Sequence, residues 1–278
     1  QRYLLWKRRR QLRQALTHWG GDLPSVLRAH ARAVGFDTGR HLQRRSWQLP
    51  WSYRLPLLVC QARELDFEGA GWPHLRHVGP VIRTAPPASG EGAGDGAEAD
   101  WAPPPGKTLI YAAFGTVFAP PPAFLQGLFG ALAQRPDWHL LLSARPEQLE
   151  GLPPPPANVT IRPWVPQLAV LARAEAMVTH AGAGTLLECI DTATPMLTLP
   201  LAVDQFGNAA RVAYHGLGRS AVGRFAPAQI AQDLQEVLTR PQIRTALQEM
   251  KAASAAYTRD RVLERMVEAL LAAPAGAA

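Results

Sequence analysis

A chain of 278 residues can hold two domains, or one domain and a large part of another. Its 47% hydrophobic and 18% charged residues can build a core, which excludes a disordered chain, and no apolar run reaches membrane-spanning length. The net charge of +7 is concentrated near the start: residues 1–45 carry eleven Lys or Arg against Asp22 and Asp37, and the rest is close to neutral.

Within that basic stretch Leu5, Leu12, Leu16 and Trp19 recur at helical spacing, which predicts an amphipathic helix. A solvated Arg-rich face explains it, and contact with an anionic membrane surface is the functional alternative. Nucleic acid is not expected as a partner, because neither zinc-ligand spacing nor an aromatic RNA-binding pattern accompanies the charge. The chain opens on Gln1 rather than Met, so the numbering is expected to start at a processing site or inside a longer protein. Cys60 and Cys189 lie far apart in apolar surroundings and read as two buried free thiols of a cytoplasmic protein.

Leu57 to Gln61 has the texture of a buried strand, and a second strand ends near His77-Val78-Gly79-Pro80. Residues 84–106 hold five Gly and five Pro and no aliphatic side chain larger than Ala, the composition of a flexible linker. It divides the chain into residues 1–83, a 107–258 domain and a closing helix within 259–278. Past the linker, strands are predicted at Lys107–Phe114, Trp138–Ser143, Val159–Ile161, Ala176–Thr179 and Pro195–Leu199. Helices are predicted at 121–135, 167–174, 184–191, 204–214, 227–239, 241–257 and 260–271. Short, continuously apolar strands alternating with helices predict an α/β fold with a parallel sheet covered on both faces.

Ligands of such sheets bind at the carboxyl ends of the strands. There, His180-Ala181-Gly182-Ala183-Gly184-Thr185 forms a glycine-rich turn from a strand into a helix. Free N–H groups and the helix dipole make such a turn an anion site. Gly182 and Gly184 allow close approach, while Thr185 and His180 add donors. Glu188, one turn on, can accept two hydrogen bonds from a ribose diol. A tight structural turn explains the glycines alone equally well. Trp164 stands in a proline-stiffened loop, Pro163-Trp164-Val165-Pro166-Gln167, and reads either as a stacking platform for a base or as a core residue. Asp204-Gln205 suits a polyol, and Asp204 alone also suits a helix N-cap. Together the four features describe a nucleotide-sugar site.

The run Trp164-Val165-Pro166-Gln167, then His180-x-Gly182-x-x-Thr185-x-x-Glu188, then Pro200 and Asp204-Gln205-x-x-Asn208-Ala209-x-Arg211-Val212, resembles the donor signature of inverting family 1 glycosyltransferases. The match is dense over about 105–222 and is most similar to bacterial enzymes acting on macrolides, glycopeptides, sterols and other small lipophilic molecules. The resemblance implies a GT-B fold, with two facing Rossmann-like domains and the donor in the C-terminal one. It implies a UDP- or TDP-sugar as co-substrate, a small lipophilic acceptor, and no cofactor and no metal. Trp164 and the Val165 backbone would hold the base, with Gln167 nearby, and Glu188 the ribose. His180, Gly182, Ala183, Gly184 and Thr185 would bind the diphosphate beside Gly115 and Thr116, and Asp204 and Gln205 the sugar. The family's general-base His, in a glycine-rich loop early in the N-terminal domain, has no match here. His18, His30 and His41 lie in the Arg-rich stretch, so the base is expected upstream of Gln1. Residues 1–83 then read as the end of an N-terminal domain. Two further readings stand beside a transferase: a donor-binding module that works with a partner chain, and, less favoured, a sugar-nucleotide epimerase.

Overall fold

The computed structural model describes residues 57–69, 75–82, 104–115 and 118–272. The basic segment 1–45, most of the expected linker and Thr116 lie outside these residues. The chain divides into two compact units: residues 1–58, 71–76 and 272–278, and residues 59–70 and 77–271. Leu57–Val59 (β1) and Leu75–His77 (β2) pair as a two-stranded sheet.

The larger unit is centred on a six-stranded parallel sheet built from Thr108–Ala113 (β3), Trp138–Ser143 (β4), Val159–Arg162 (β5), Ala176–Thr179 (β6), Met196–Thr198 (β7) and Gly218–Ser220 (β8). The strand order is β5-β4-β3-β6-β7-β8. In register, Ile110 faces Leu140 on one side and Ala176 on the other, and Met177 faces Met196. Alternate residues go to opposite faces. Ile110, Ala112, Leu140, Leu142, Val178 and Leu197 pack under Pro122–Ala133 (α1) and Pro227–Thr239 (α5). Leu109, Tyr111, Leu141, Met177 and Met196 pack under Ala183–Thr192 (α3) and Pro241–Arg259 (α6). Two buried faces explain why these strands read as unbroken apolar runs. Gln167–Leu171 (α2), Gln205–Tyr214 (α4) and Val262–Ala272 (α7) complete the helices. The expected α/β class with a parallel sheet is therefore the observed one.

Strand β8 has no counterpart among the strands expected from sequence. It is three residues long with Arg219 at its centre, and it is a strand because it pairs with β7, not because of an apolar run. Cys60 corrects the sequence reading: it is exposed at a bend after β1, while Cys189 is buried inside α3.

Segments 59–69 and 77–82 precede the linker yet pack on the sheet unit. Leu65, in the 3-10 turn Arg63–Leu65, is buried in the same core as Val212, Leu247 and Met250. Asp66 forms an ion pair with Arg211 at 2.7 Å, and His215 Nε2 reaches the Leu65 carbonyl at 3.1 Å. The Tyr257 hydroxyl accepts from the Arg63 N–H and donates to Glu64. Together these contacts form a strap across α4 and α6.

Candidate functional site

The chain runs outward from β3 to β4 to β5 and then returns to β6 on the other flank of β3. Loops that leave β3 and β6 therefore diverge, and their divergence opens a crevice at the carboxyl ends of these two strands. Gly115 follows β3, and His180 to Gly182 follow β6.

The β6–α3 turn is shaped by its backbone. Ala181 takes a left-handed conformation, φ 62°, and its N–H donates to Thr179 Oγ1 at 3.1 Å. Gly182 is the N-cap of α3, which has no side-chain cap and no acidic residue in its first turn. Its leading N–H groups thus keep the partial positive charge that an anion neutralises. The His180 ring is wedged between two loops: a Cβ built on Gly115 would lie 3.0 Å from Nε2, and one on Gly182 would lie 2.5 Å from it. Glycine at both positions is what admits the imidazole. A Cβ on Gly184 would meet nothing within 4 Å, so the backbone there borders open space. His180 Nδ1 is buried without a hydrogen-bond partner. Burial lowers the imidazole pKa; the nearby Ala113 backbone and the Asp204 charge act in the opposite sense, less strongly. Ala113 acts there without reaching hydrogen-bond geometry to Nδ1. The ring is thus biased toward neutrality, with one N–H to donate.

Gln167, at the start of α2, joins three elements. Its Oε1 accepts from the hydroxyl of Tyr111 on β3 at 3.2 Å, and its Nε2 donates to Thr185 Oγ1 at 3.2 Å and to the Glu188 carboxylate. Trp164 lies three residues earlier and is 36% exposed, whereas Val165 is buried in the core. The indole is therefore not a core residue.

The β7–α4 loop is held from inside. Gln205 is only 7% exposed, and its Oε1 accepts from the N–H groups of Leu201 and Ala202 at 2.7 and 2.9 Å. Asp204 occupies the N-cap position of α4 but makes no side-chain cap bond, and it is exposed. Asn208 Nδ2 donates both to Asp204 Oδ2 at 2.9 Å and to the Ala181 carbonyl at 3.0 Å. That amide ties the Asp204 loop to the His180 turn. In the β7–α4 loop, just before Asp204, Val203 sits at φ 52° and is 80% exposed, an unfavourable conformation for a β-branched residue.

The structure thus brings Gly115, Gly182 and His180 into contact, and separately Gln167, Thr185 and Glu188. Asp204 is linked to the His180 turn through Asn208. Trp164, Ala183 and Gly184 are exposed around this cluster, and Gln205 is turned into its own loop. Sequence reasoning gives Asn208 and Tyr111 no role. Asn208 stands in the motif, but only its two bonds show what it joins.

Comparison with known proteins is consistent with this geometry. Residues 104–254 match the profile of the family described as "UDP-glucoronosyl and UDP-glucosyl transferase". The oleandomycin glycosyltransferase of Streptomyces antibioticus is 36% identical over 182 residues, which cover 63% of this chain and 42% of that protein. The zeaxanthin glucosyltransferase of Pantoea ananas is 31% identical over 185 residues, covering 63% and 40%. The chain therefore spans about two fifths of the length of these relatives. Among solved structures, the glycotransferase of kitacinnamycin superposes with a TM-score of 0.61 at 27% identity, covering 72% of this chain and 50% of that one. The calicheamicin glycosyltransferase CalG4, at 23% identity, shares the fold with a TM-score of 0.65 over 95% of this chain and 64% of its own. With its α/β sheet, its GT-B structural neighbours and a profile match across more than half its length, the chain belongs to the UDP-glucuronosyl and UDP-glucosyl transferase family.

Proposed function

We propose that this chain binds the donor in a transferase that moves a hexose from a UDP- or TDP-sugar to a hydroxyl of a small lipophilic acceptor, with inversion and without metal. The observation that carries the reading is the uncapped start of α3 beside the wedged His180, with Glu188 held by Gln167 one turn further on. In this reading the α3 N–H groups from Ala183, Gly184 and Thr185, together with His180, bind the diphosphate. They stabilise its charge as the bond between the anomeric carbon and the diphosphate oxygen breaks and the nucleoside diphosphate leaves. Gly182 and Gly115 border that position. Trp164 stacks on the base beside the Val165 backbone, with Gln167 nearby; Glu188, held by Gln167, receives the ribose, and Asp204 accepts from sugar hydroxyls. Gln205 supports the Asp204 loop, because its Oε1 is already committed there. The base that removes the acceptor proton is assigned to no residue of this chain.

The relatives' names, a macrolide and a carotenoid transferase, support a lipophilic acceptor. Among the described residues no helix is long and apolar enough to cross a membrane. We propose a cytoplasmic setting, with residues 1–45 as the candidate for peripheral membrane contact.

A second reading is a donor-binding part that works with a partner chain supplying the base. The test is titration calorimetry with UDP, TDP, UDP-glucose and TDP-glucose in EDTA. Retained binding supports the donor site, and no binding by a folded protein overturns it. Turnover by the chain alone would remove the second reading.

A further inference from the structure

Glu188 is not held by its own helix. The atom that faces it belongs to Gln167, on α2, and Gln167 is an amide whose two ends are chemically opposite. A carboxylate accepts hydrogen bonds and cannot donate them, so only the NH2 end of Gln167 can stabilise Glu188. Something must hold the amide in that orientation, and Tyr111 is placed to do it. Its ring is 1% exposed within the core beneath α3, and its hydroxyl meets Gln167 Oε1 at 3.2 Å. Burial moves the phenol pKa well above its ordinary range, against a smaller opposite effect of the Ser143 hydroxyl, which acts as a donor to the phenol oxygen; the phenol keeps its proton, and that proton is left for Gln167. A protonated phenol donates to the carbonyl end and thereby fixes the NH2 end toward Thr185 and Glu188.

From this geometry we infer that Tyr111 is a positioning residue for the nucleotide's ribose: through Gln167 it aims the Glu188 carboxylate at the sugar diol. The inference rests on the donor-site reading above. Tyr111 touches no part of the nucleotide itself and acts from the opposite side of Gln167. Strand β3 is central in the sheet, so the chain Tyr111–Gln167–Glu188 anchors a half-buried recognition group to the middle of the sheet. Because Gln167 occupies one carboxylate oxygen, the other remains for the diol.

The variant is Tyr111→Phe, which keeps the ring and its packing and removes only the hydroxyl. Calorimetric titration with UDP and with 2′-deoxy-UDP is run in wild type, Y111F, E188A and the Y111F/E188A double variant, with cooperative thermal unfolding as the check of folding. Y111F should weaken UDP about fivefold, the size of one lost hydrogen bond, and weaken 2′-deoxy-UDP less. In the E188A background Y111F should change UDP affinity by less than about twofold, because the residue it acts through is gone. A second variant, Q167E, keeps an acceptor for Tyr111 but sets a carboxylate against Glu188, and should lose as much UDP affinity as E188A. An equal Y111F effect in both backgrounds, or no Y111F effect while E188A weakens UDP, would overturn the positioning role alone. No UDP binding by the folded wild type would overturn the donor-site reading and this inference together.

Discussion

Asn208 gives the sharpest test of how the site is assembled, because one buried amide joins the loops that follow two adjacent strands. Asn208→Ala removes the bonds to the Ala181 carbonyl and to Asp204 Oδ2. The first is buried; the second ends on an exposed carboxylate and is weakened by solvent. Together they should cost about 2 kcal/mol of stability. For a folded unit of this size that corresponds to a fall in Tm of roughly 4–8 °C. The left-handed residues Ala181 and Val203 add to the expectation, since both conformations are costly and need surrounding contacts to persist. The effect on ligands is more specific. The α3 turn still offers its N–H groups, so UDP affinity should stay within about twofold of wild type, while UDP-glucose should lose about fivefold or more as Asp204 is released. Calorimetric titration of both ligands, alongside thermal unfolding, reads all three quantities. Equal losses for UDP and UDP-glucose would refute the argument, because Asp204 would then have no separate connection to the sugar. A variant as stable as wild type would refute the tie between the loops.

Further outcomes are expected elsewhere in the unit. Gly182→Ala places a methyl 2.5 Å from His180 Nε2, so the ring must move; stability should fall by about 1–3 kcal/mol and nucleotide affinity with it, whereas Gly184→Ala, facing open space, should leave stability nearly unchanged. His180 has a native pKa below its ordinary value of 6.5, so the unfolded chain binds more protons than the native one as pH drops. The stability tied to the neutral ring is therefore complete above about pH 6.5 and is lost as pH falls toward the native pKa. Denaturant unfolding from about pH 7.5 to about 5.5 should show a shallower acid decline in His180→Asn, and identical slopes would refute the assignment. Asp233 is fully buried between Arg219 and Arg224, both about one third exposed. Asp233→Asn should cost about 2 kcal/mol, less than for a wholly buried pair, without changing UDP affinity.

The parts of this protein that are legible in its sequence are those fixed by local chemistry. Ile110, Leu140 and Val178 stand in unbroken apolar runs because both sheet faces are covered, and such runs alternating with helices are what point to a parallel sheet. Trp164, His180, Gly182 and Asp204 can be picked out because each stands at a strand-to-helix junction, and Glu188 because it follows one of these junctions inside the helix. What stays hidden depends on partners distant in sequence. Arg211 meets Asp66 across 145 positions, and neither residue carries a mark of that pairing. Gln205 pairs with Asp204 as a polyol clamp on sequence grounds, but its carbonyl end serves its own loop. Asp204 fits a helix N-cap equally well until the missing cap bond separates the two readings. Tyr111 reads only as one residue of a buried strand, since nothing local shows where a buried hydroxyl points.

The strap of residues 59–69 changes what counts as a severable piece of this protein. Proteolysis in the Gly- and Pro-rich stretch would break the chain between the strap and the sheet, yet Leu65 in its socket, Asp66 on Arg211 and Arg63 on Tyr257 would still hold the two fragments together. A nicked molecule should therefore travel as one species until it is denatured. A recombinant piece begun at residue 104 would instead leave Arg211 without Asp66 and uncover the apolar surface beneath Leu65. A piece that keeps β1 and the strap retains these contacts, whereas one begun at the stretch whose composition invites the cut loses them.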